Sequence, residues 1–179
     1  MKNMEARKVV RRVRLLALVA VIVWASTVLL PAQGKSASPA FPRLAPNFSR
    51  IGLAHWKITL SAYRGKVVLL NFWATWCGPC LVEMPAFAHW QKQYGADRFQ
   101  VIGVSMDDTA APVAATVARL QLDYPVLMGD AQLGLAYGGV LGLPVTFLID
   151  RDGRIRAKYQ GAADLPRVQA EIHKLLQSR

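Results

Sequence analysis

Two apolar runs stand out along the chain. Leu15 to Leu30 is apolar or small at every position, and Val67 to Trp73 is interrupted only by Asn71. The first run has no polar face, so it does not read as an amphipathic helix lying on a protein surface. As a helix, its residues would span about 24 Å at about 1.5 Å each, slightly short of a typical hydrocarbon core. Basic residues precede it, which predicts an amino terminus held in the cytoplasm and a chain that crosses. Two readings stay open. One is an uncleaved signal anchor, the expected form. The other is a secretory signal cut after Gly34, where Ala32 and Gly34 supply small residues.

From residue 56 onward, strand and helix patterns alternate. Trp56 to Leu60 reads as a short strand, Tyr63 to Lys66 as a turn, and Val67 to Trp73 as a buried strand. Cys77 to about Tyr94 reads as a helix, Gln100 to Ser105 as a strand and Ala111 to Leu120 as a helix with Pro112 in its first turn. Tyr124 to Met128 and Val145 to Ile149 are strands, with a short helix, Leu133 to Tyr137, between them. Asp152-Gly153 is a tight turn into a strand, Arg154 to Tyr159, and Leu165 to Leu176 is a closing helix. Such alternation predicts an α/β domain around a mixed sheet. Arg154, Arg156 and Lys158 alternate, and so should share one face of the last strand. They read as protection of a sheet edge or as a docking face for an acidic partner.

Domain boundaries follow: 1–14 a basic cytoplasmic segment, 15–30 the anchor or signal, 31–46 a linker and 47–179 the globular domain. The linker holds Pro31, Pro39, Pro42 and Pro46 among small residues. The formal charge of +11 concentrates at the amino terminus, where six basic residues face one acidic residue, Glu5, in the first fourteen. No segment interleaves basic and aromatic residues, which argues against nucleic-acid binding.

The chain has two cysteines, Cys77 and Cys80. Two are too few for a disulfide framework, and no histidine pair at zinc-finger spacing completes a metal site. The cysteines follow a buried strand and open a helix, so Cys77 should sit at a helix amino terminus. Free N–H groups and the helix dipole there favour a thiolate, the nucleophile of thiol–disulfide exchange. Cys80, one turn further in, should be shielded and able to attack a mixed disulfide from inside. Pro79 suits the first turn, where its missing N–H is no loss. Glu83 lies three residues beyond Cys80 on the same helix face. It reads as a proton acceptor for Cys80 or as a solvated helix charge. Trp76 beside the pair offers a flat contact surface or partial core packing; Phe72 and Trp73 read as core. His55, His89 and His173 read as surface or structural residues.

The stretch Asn71-Phe72-Trp73-Ala74-Thr75-Trp76-Cys77-Gly78-Pro79-Cys80, with Glu83-Met84-Pro85 and Leu143-Pro144-Val145-Thr146-Phe147-Leu148-Ile149-Asp150, resembles the thioredoxin superfamily. From about Phe48 to Leu176 the chain is more closely similar to membrane-anchored, extracytoplasmic reductases of the TlpA and ResA type. The resemblance implies a thioredoxin fold with an N-terminal extension and an inserted helix–strand element between the redox βα unit and the cis-proline strand. It implies a reversible Cys77–Cys80 disulfide and a cis peptide before Pro144, packed beside the cysteines. It also implies a substrate surface of Trp76, Gly78, Pro79, Leu143 and Pro144. Pro85, where thioredoxins have a proline, lies inside the predicted helix and should kink it. Thioredoxin has a buried aspartate where this chain has Asn71, and Glu83 matches the glutamate that ResA-like proteins carry.

The expected function is reduction of protein disulfides outside the cytoplasm, for example in cytochrome c or copper-site maturation. The alternatives are a disulfide oxidase or isomerase, and a metallochaperone or assembly factor. A histidine within the motif would stabilise the thiolate further and favour an oxidant; Gly78-Pro79 has none. No cofactor is expected, because no dinucleotide fingerprint follows a strand. Electrons would therefore come from a membrane-embedded thiol relay, and the partners would be protein dithiols and disulfides.

Overall fold

A computed structural model describes residues 42–178. The basic segment, the apolar run and the linker up to residue 41 lie outside the described residues. No helix among those described is long and apolar enough to cross a membrane.

Among the described residues, eight strands and four helices form the domain. The strands are β1 (Arg43–Leu44), β2 (Ser49–Ile51), β3 (Lys57–Thr59), β4 (Val67–Trp73), β5 (Phe99–Ser105), β6 (Val126–Met128), β7 (Val145–Ile149) and β8 (Arg154–Gln160). The helices are α1 (Gly78–Tyr94), α2 (Ala110–Arg119), α3 (Ala131–Ala136) and α4 (Leu165–Gln177), with a 3₁₀ turn at Leu60–Tyr63. Six strands make one mixed sheet in the order β1-β8-β7-β4-β5-β6. Pairing is parallel for β4–β5 and β5–β6 and antiparallel for β4–β7, β7–β8 and β1–β8. This is the thioredoxin fold, with α2, β6 and α3 placed between the β4–α1–β5 unit and β7.

Every residue of β4 is buried, so both of its faces must be covered. Val67, Leu69 and Trp73 pack with Met84 and Phe87 of α1, Val113 of α2 and Val168 and Ile172 of α4. Val68, Leu70 and Phe72 face the other way, onto Ala45, Phe48, Ile58 and Leu60 before the sheet and Leu133 and Tyr137 around α3. Phe72, Tyr137 and Phe147 form an aromatic cluster there, with ring centroids 5.1–6.0 Å apart.

The segment before β4 corrects the domain boundary. Residues 43–46, assigned above to the linker, belong to the fold: Arg43 and Leu44 pair with Ile155 and Arg154, and Ala45 is buried. The same segment reaches the opposite edge of the sheet, where Leu53 N–H donates to Val126 C=O at 2.9 Å and Gly52 bridges Leu127. It thus crosses one face and caps part of both edges. Unpaired edge groups invite aggregation, so this covering has a clear physical use.

The final strand differs from the sequence reading. Ile149 pairs with Ile155 but Leu148 pairs with Ala157, leaving Arg156 in a bulge. A bulge reverses the alternation of faces. Ile155 accordingly packs into the Phe72 layer while Ala157 packs against the α1 layer. Arg154, Arg156 and Lys158 therefore share no common face. Arg156 instead pairs with Asp150 at 3.6 Å, and Lys158 sits over the Phe147 ring. At the preceding turn Gly153 takes φ +73°, and the guanidinium of Arg64 occupies the space a side chain would fill.

Tyr137 fixes the N-terminal segment to the core, its hydroxyl donating to Pro46 C=O at 2.8 Å. Tyr137→Phe should keep the packing and lose this bond, a cost of about 1 kcal/mol. Urea unfolding should show a lower midpoint with an unchanged slope.

Candidate functional site

The site lies where the carboxyl end of β4 meets α1. Cys77 N–H donates to Ala74 C=O at 3.1 Å, closing a turn, and Leu81 N–H donates to Cys77 C=O at 3.2 Å as the helix begins. Cys77 is the N-cap of α1, with extended backbone, and Cys80 N–H donates to its Sγ at 3.3 Å. The expected placement at a helix amino terminus is thus found. The cysteines form a disulfide, with S–S 2.00 Å and Cα–Cα 5.3 Å. Cys77 keeps 5% of its surface exposed and Cys80 none. Gly78 and Pro79 between them are exposed.

Trp76 is 71% exposed, which removes the reading of partial core packing, while Phe72 and Trp73 are fully buried. The antiparallel pairing of Phe72 with Val145 sets the start of β7 beside the end of β4. Leu143–Pro144 is a cis peptide there, with Pro144 buried and Leu143 packed against the layer that holds both cysteines. Gly161 N–H donates to Pro144 C=O at 2.9 Å. Helix α1 runs on through Pro85.

Glu83 is 3% exposed, so the solvated-charge reading fails. Its Oε1 accepts from Ala163 N–H at 2.6 Å, and its Oε2 has no hydrogen-bond partner. Burial raises its pKa, and the Ala163 bond works in the opposite direction. The β8–α4 loop therefore touches two parts of the site, Pro144 through Gly161 and Glu83 through Ala163. Asn71, also buried, donates through Nδ2 to Thr146 Oγ1 at 2.9 Å and ties β4 to β7.

One group escaped the sequence reading. Asp107 accepts from both the N–H and the hydroxyl of Thr75, two residues before Cys77. No motif marks it. Its only signal is its place just past a strand parallel to β4. His55, His89 and His173 are all exposed, as expected, with His173 meeting Tyr94 Oη at 3.0 Å. Among the described residues no group of three or more His, Cys, Asp or Glu side chains is arranged to hold a metal.

Comparison with known proteins agrees with this geometry. Residues 43–158 match the AhpC/TSA family. Thiol-disulfide oxidoreductase ResA of Bacillus cereus (strain ATCC 10987) is 34% identical over 131 residues, covering 73% of this chain and 76% of its own. Thioredoxin-like protein YneN of Bacillus subtilis (strain 168) is 38% identical over 120 residues, 65% of this chain and 69% of its own. Among solved structures, a Chlorobium tepidum protein described as a thiol:disulfide interchange protein DsbE superposes with a TM-score of 0.72 at 32% identity. That match covers 76% of this chain and 98% of the other. Fold and disulfide together are those of a thioredoxin-like thiol–disulfide oxidoreductase. The chain belongs to the AhpC/TSA family and, within it, to the ResA and DsbE type.

The raised Glu83 has a consequence for stability. A carboxyl whose pKa is higher folded than unfolded holds its proton more tightly in the native state. Stability then falls as pH rises from the ordinary value of 4.5 through the folded-state value. Glu83→Gln keeps an acceptor for Ala163 N–H and cannot titrate. Its stability relative to wild type should improve as pH is raised from about 4 to about 8. Urea unfolding of both oxidised proteins across that range measures the trend, and a pH-independent difference would contradict it.

Proposed function

We propose that the protein reduces protein disulfides outside the cytoplasm, with Cys77 as nucleophile and Cys80 as resolving thiol. The observation that supports this most directly is the asymmetry of the pair: Cys77 is the helix N-cap and keeps a small exposed surface, while Cys80, one turn further in, has none. In the reduced protein the Cys77 thiolate attacks a substrate disulfide. One substrate sulfur leaves as thiolate, and Cys77 is left in a mixed disulfide. Cys80 then loses its proton, with Glu83 as acceptor, and its thiolate attacks Cys77 Sγ. The second substrate sulfur leaves, and the Cys77–Cys80 disulfide of the present structure results.

Substrate would lie across Trp76, Gly78, Pro79, Leu143 and Pro144. Pro144 C=O is already engaged by Gly161. The backbone of Leu143, which hydrogen-bonds to no other described residue, is then the group left for an extended substrate segment. Gly78-Pro79, without a histidine, suits a reducing pair. Such a pair in an oxidising compartment is spent after one turnover, so a membrane-embedded dithiol relay would recharge it. An amino-terminal anchor would confine the search for that relay to the membrane surface. Cytochrome c or copper-site precursors are the substrate classes proposed.

The following measurements test this. Brief alkylation of the reduced protein, mapped by mass spectrometry, should label Cys77 well ahead of Cys80. The reduction potential should lie nearer about −270 mV than about −120 mV. In cells the pair should be mostly reduced while a relay is present and oxidised once it is deleted; oxidation in both backgrounds would point to an oxidase. For Glu83, the Gln variant should slow resolution of trapped mixed disulfides, while Glu171→Gln should not. Capture on Cys80→Ser would identify the substrate.

A further inference from the structure

Backbone pairing between β4 and β5 ends at Trp73 and Ser105, with Met106 N–H donating to Trp73 C=O at 2.8 Å just beyond. Past that point β4 turns toward Cys77, and the backbones diverge. A side chain then continues the contact. Asp107 Oδ2 accepts from Thr75 N–H at 2.9 Å, and Oδ1 accepts from Thr75 Oγ1 at 2.5 Å. Ser105 Oγ donates to Oδ2 at 2.7 Å and accepts from Asp107 N–H at 3.1 Å, which fixes the carboxylate itself. Both oxygens are committed, and the group is half-buried. Among the described residues no cation pairs with it. Hydrogen bonds to a charged acceptor are shorter and stronger than neutral ones. Thr75 is therefore held from outside the turn, and Cys77 N–H to Ala74 C=O holds it from inside.

We infer that Asp107 is a positioning residue for the redox turn: by anchoring Thr75 it keeps Cys77 in the N-cap geometry where Cys80 N–H meets its sulfur. The inference rests on Cys77 being the nucleophile. Two consequences of the carboxylate oppose each other. Its negative charge disfavours a nearby thiolate. Its grip on the turn favours one, by keeping Cys77 Sγ in reach of donors such as Cys80 N–H. The positioning role requires the second to dominate. Removing the carboxylate should then make Cys77 harder to ionise, although a negative charge has been taken away.

The test uses the reduced full-length protein in detergent, with iodoacetamide as probe. The alkylation rate of Cys77 is followed against pH in wild type, Asp107→Ala, Asp107→Asn and Thr75→Val, with the label mapped by mass spectrometry. Asp107→Ala should shift the midpoint upward and slow labelling near neutral pH by at least about threefold, since the thiolate is the reacting form. Its limiting rate at high pH should be unchanged. Asp107→Asn keeps one acceptor oxygen, and Thr75→Val keeps the Thr75 N–H; both should shift the midpoint upward by less. A downward shift would mean that the carboxylate acts on Cys77 through charge alone, and the inference falls. An unchanged midpoint in all variants overturns it equally. If Asp107→Ala does not fold, the two milder variants decide by the same criterion. Wild-type labelling that favours Cys80 would overturn the nucleophile assignment and this inference together; wild-type labelling at Cys77 with unshifted variants overturns the inference alone.

Discussion

Burial of β4 on both faces is the constraint on which the rest of the domain depends. A strand with no solvent-facing residue needs neighbours on both edges and layers above and below. It has β5 and β7 beside it, α1, α2 and α4 on one face, and the N-terminal segment with α3 on the other. Whatever leaves the carboxyl end of such a strand is held by surroundings that cannot easily shift. That end delivers Cys77. Because β7 runs antiparallel to β4, the start of β7 arrives at the same end, bringing Leu143–Pro144. Because β5 runs parallel, its carboxyl end arrives there too, bringing Asp107. The site is assembled by strand direction.

Continuous patterns were the parts of this architecture most legible in the sequence. Val67–Trp73 has the predicted bounds because seven buried positions leave no polar residue except Asn71, and Asn71 meets Thr146 across the strand pair. The redox helix was readable from Cys77 because its cap, its Pro79 and its cysteine spacing are all local. What failed to show was what depends on distant partners. Strands of two and three residues, Arg43–Leu44 and Ser49–Ile51, carry no periodicity, and prolines at 42 and 46 made the first look like linker. They exist because the sheet has edges to cover. The alternating charges of β8 gave a clean period of two, and a bulge at Arg156 broke it. Nothing local announced that bulge.

Glu83 and Asp107 show the same limit at the site. Helical spacing put Glu83 on the face of Cys80, yet it could not decide between water and interior. The decision comes from Ala163, 80 residues away, whose N–H satisfies one oxygen of the buried carboxylate. Asp107 looks like an ordinary residue of a polar Asp107-Asp108-Thr109 loop, and only its 32-residue contact with Thr75 distinguishes it.

The two carboxylates also differ in a way that suits their proposed tasks. Both oxygens of Asp107 accept from hydroxyl and N–H donors, and these bonds hold the carboxylate in place. Glu83 has one oxygen held by Ala163 and the other buried without a partner. A buried, unpaired carboxylate oxygen is costly while charged. Taking up a proton relieves that cost, and desolvation has already moved the group in that direction. An acceptor bonded at both oxygens suits a clamp, and one with a bare buried oxygen suits a proton acceptor. The same side-chain chemistry thus supports two different proposed roles, Asp107 holding the redox turn and Glu83 accepting the Cys80 proton.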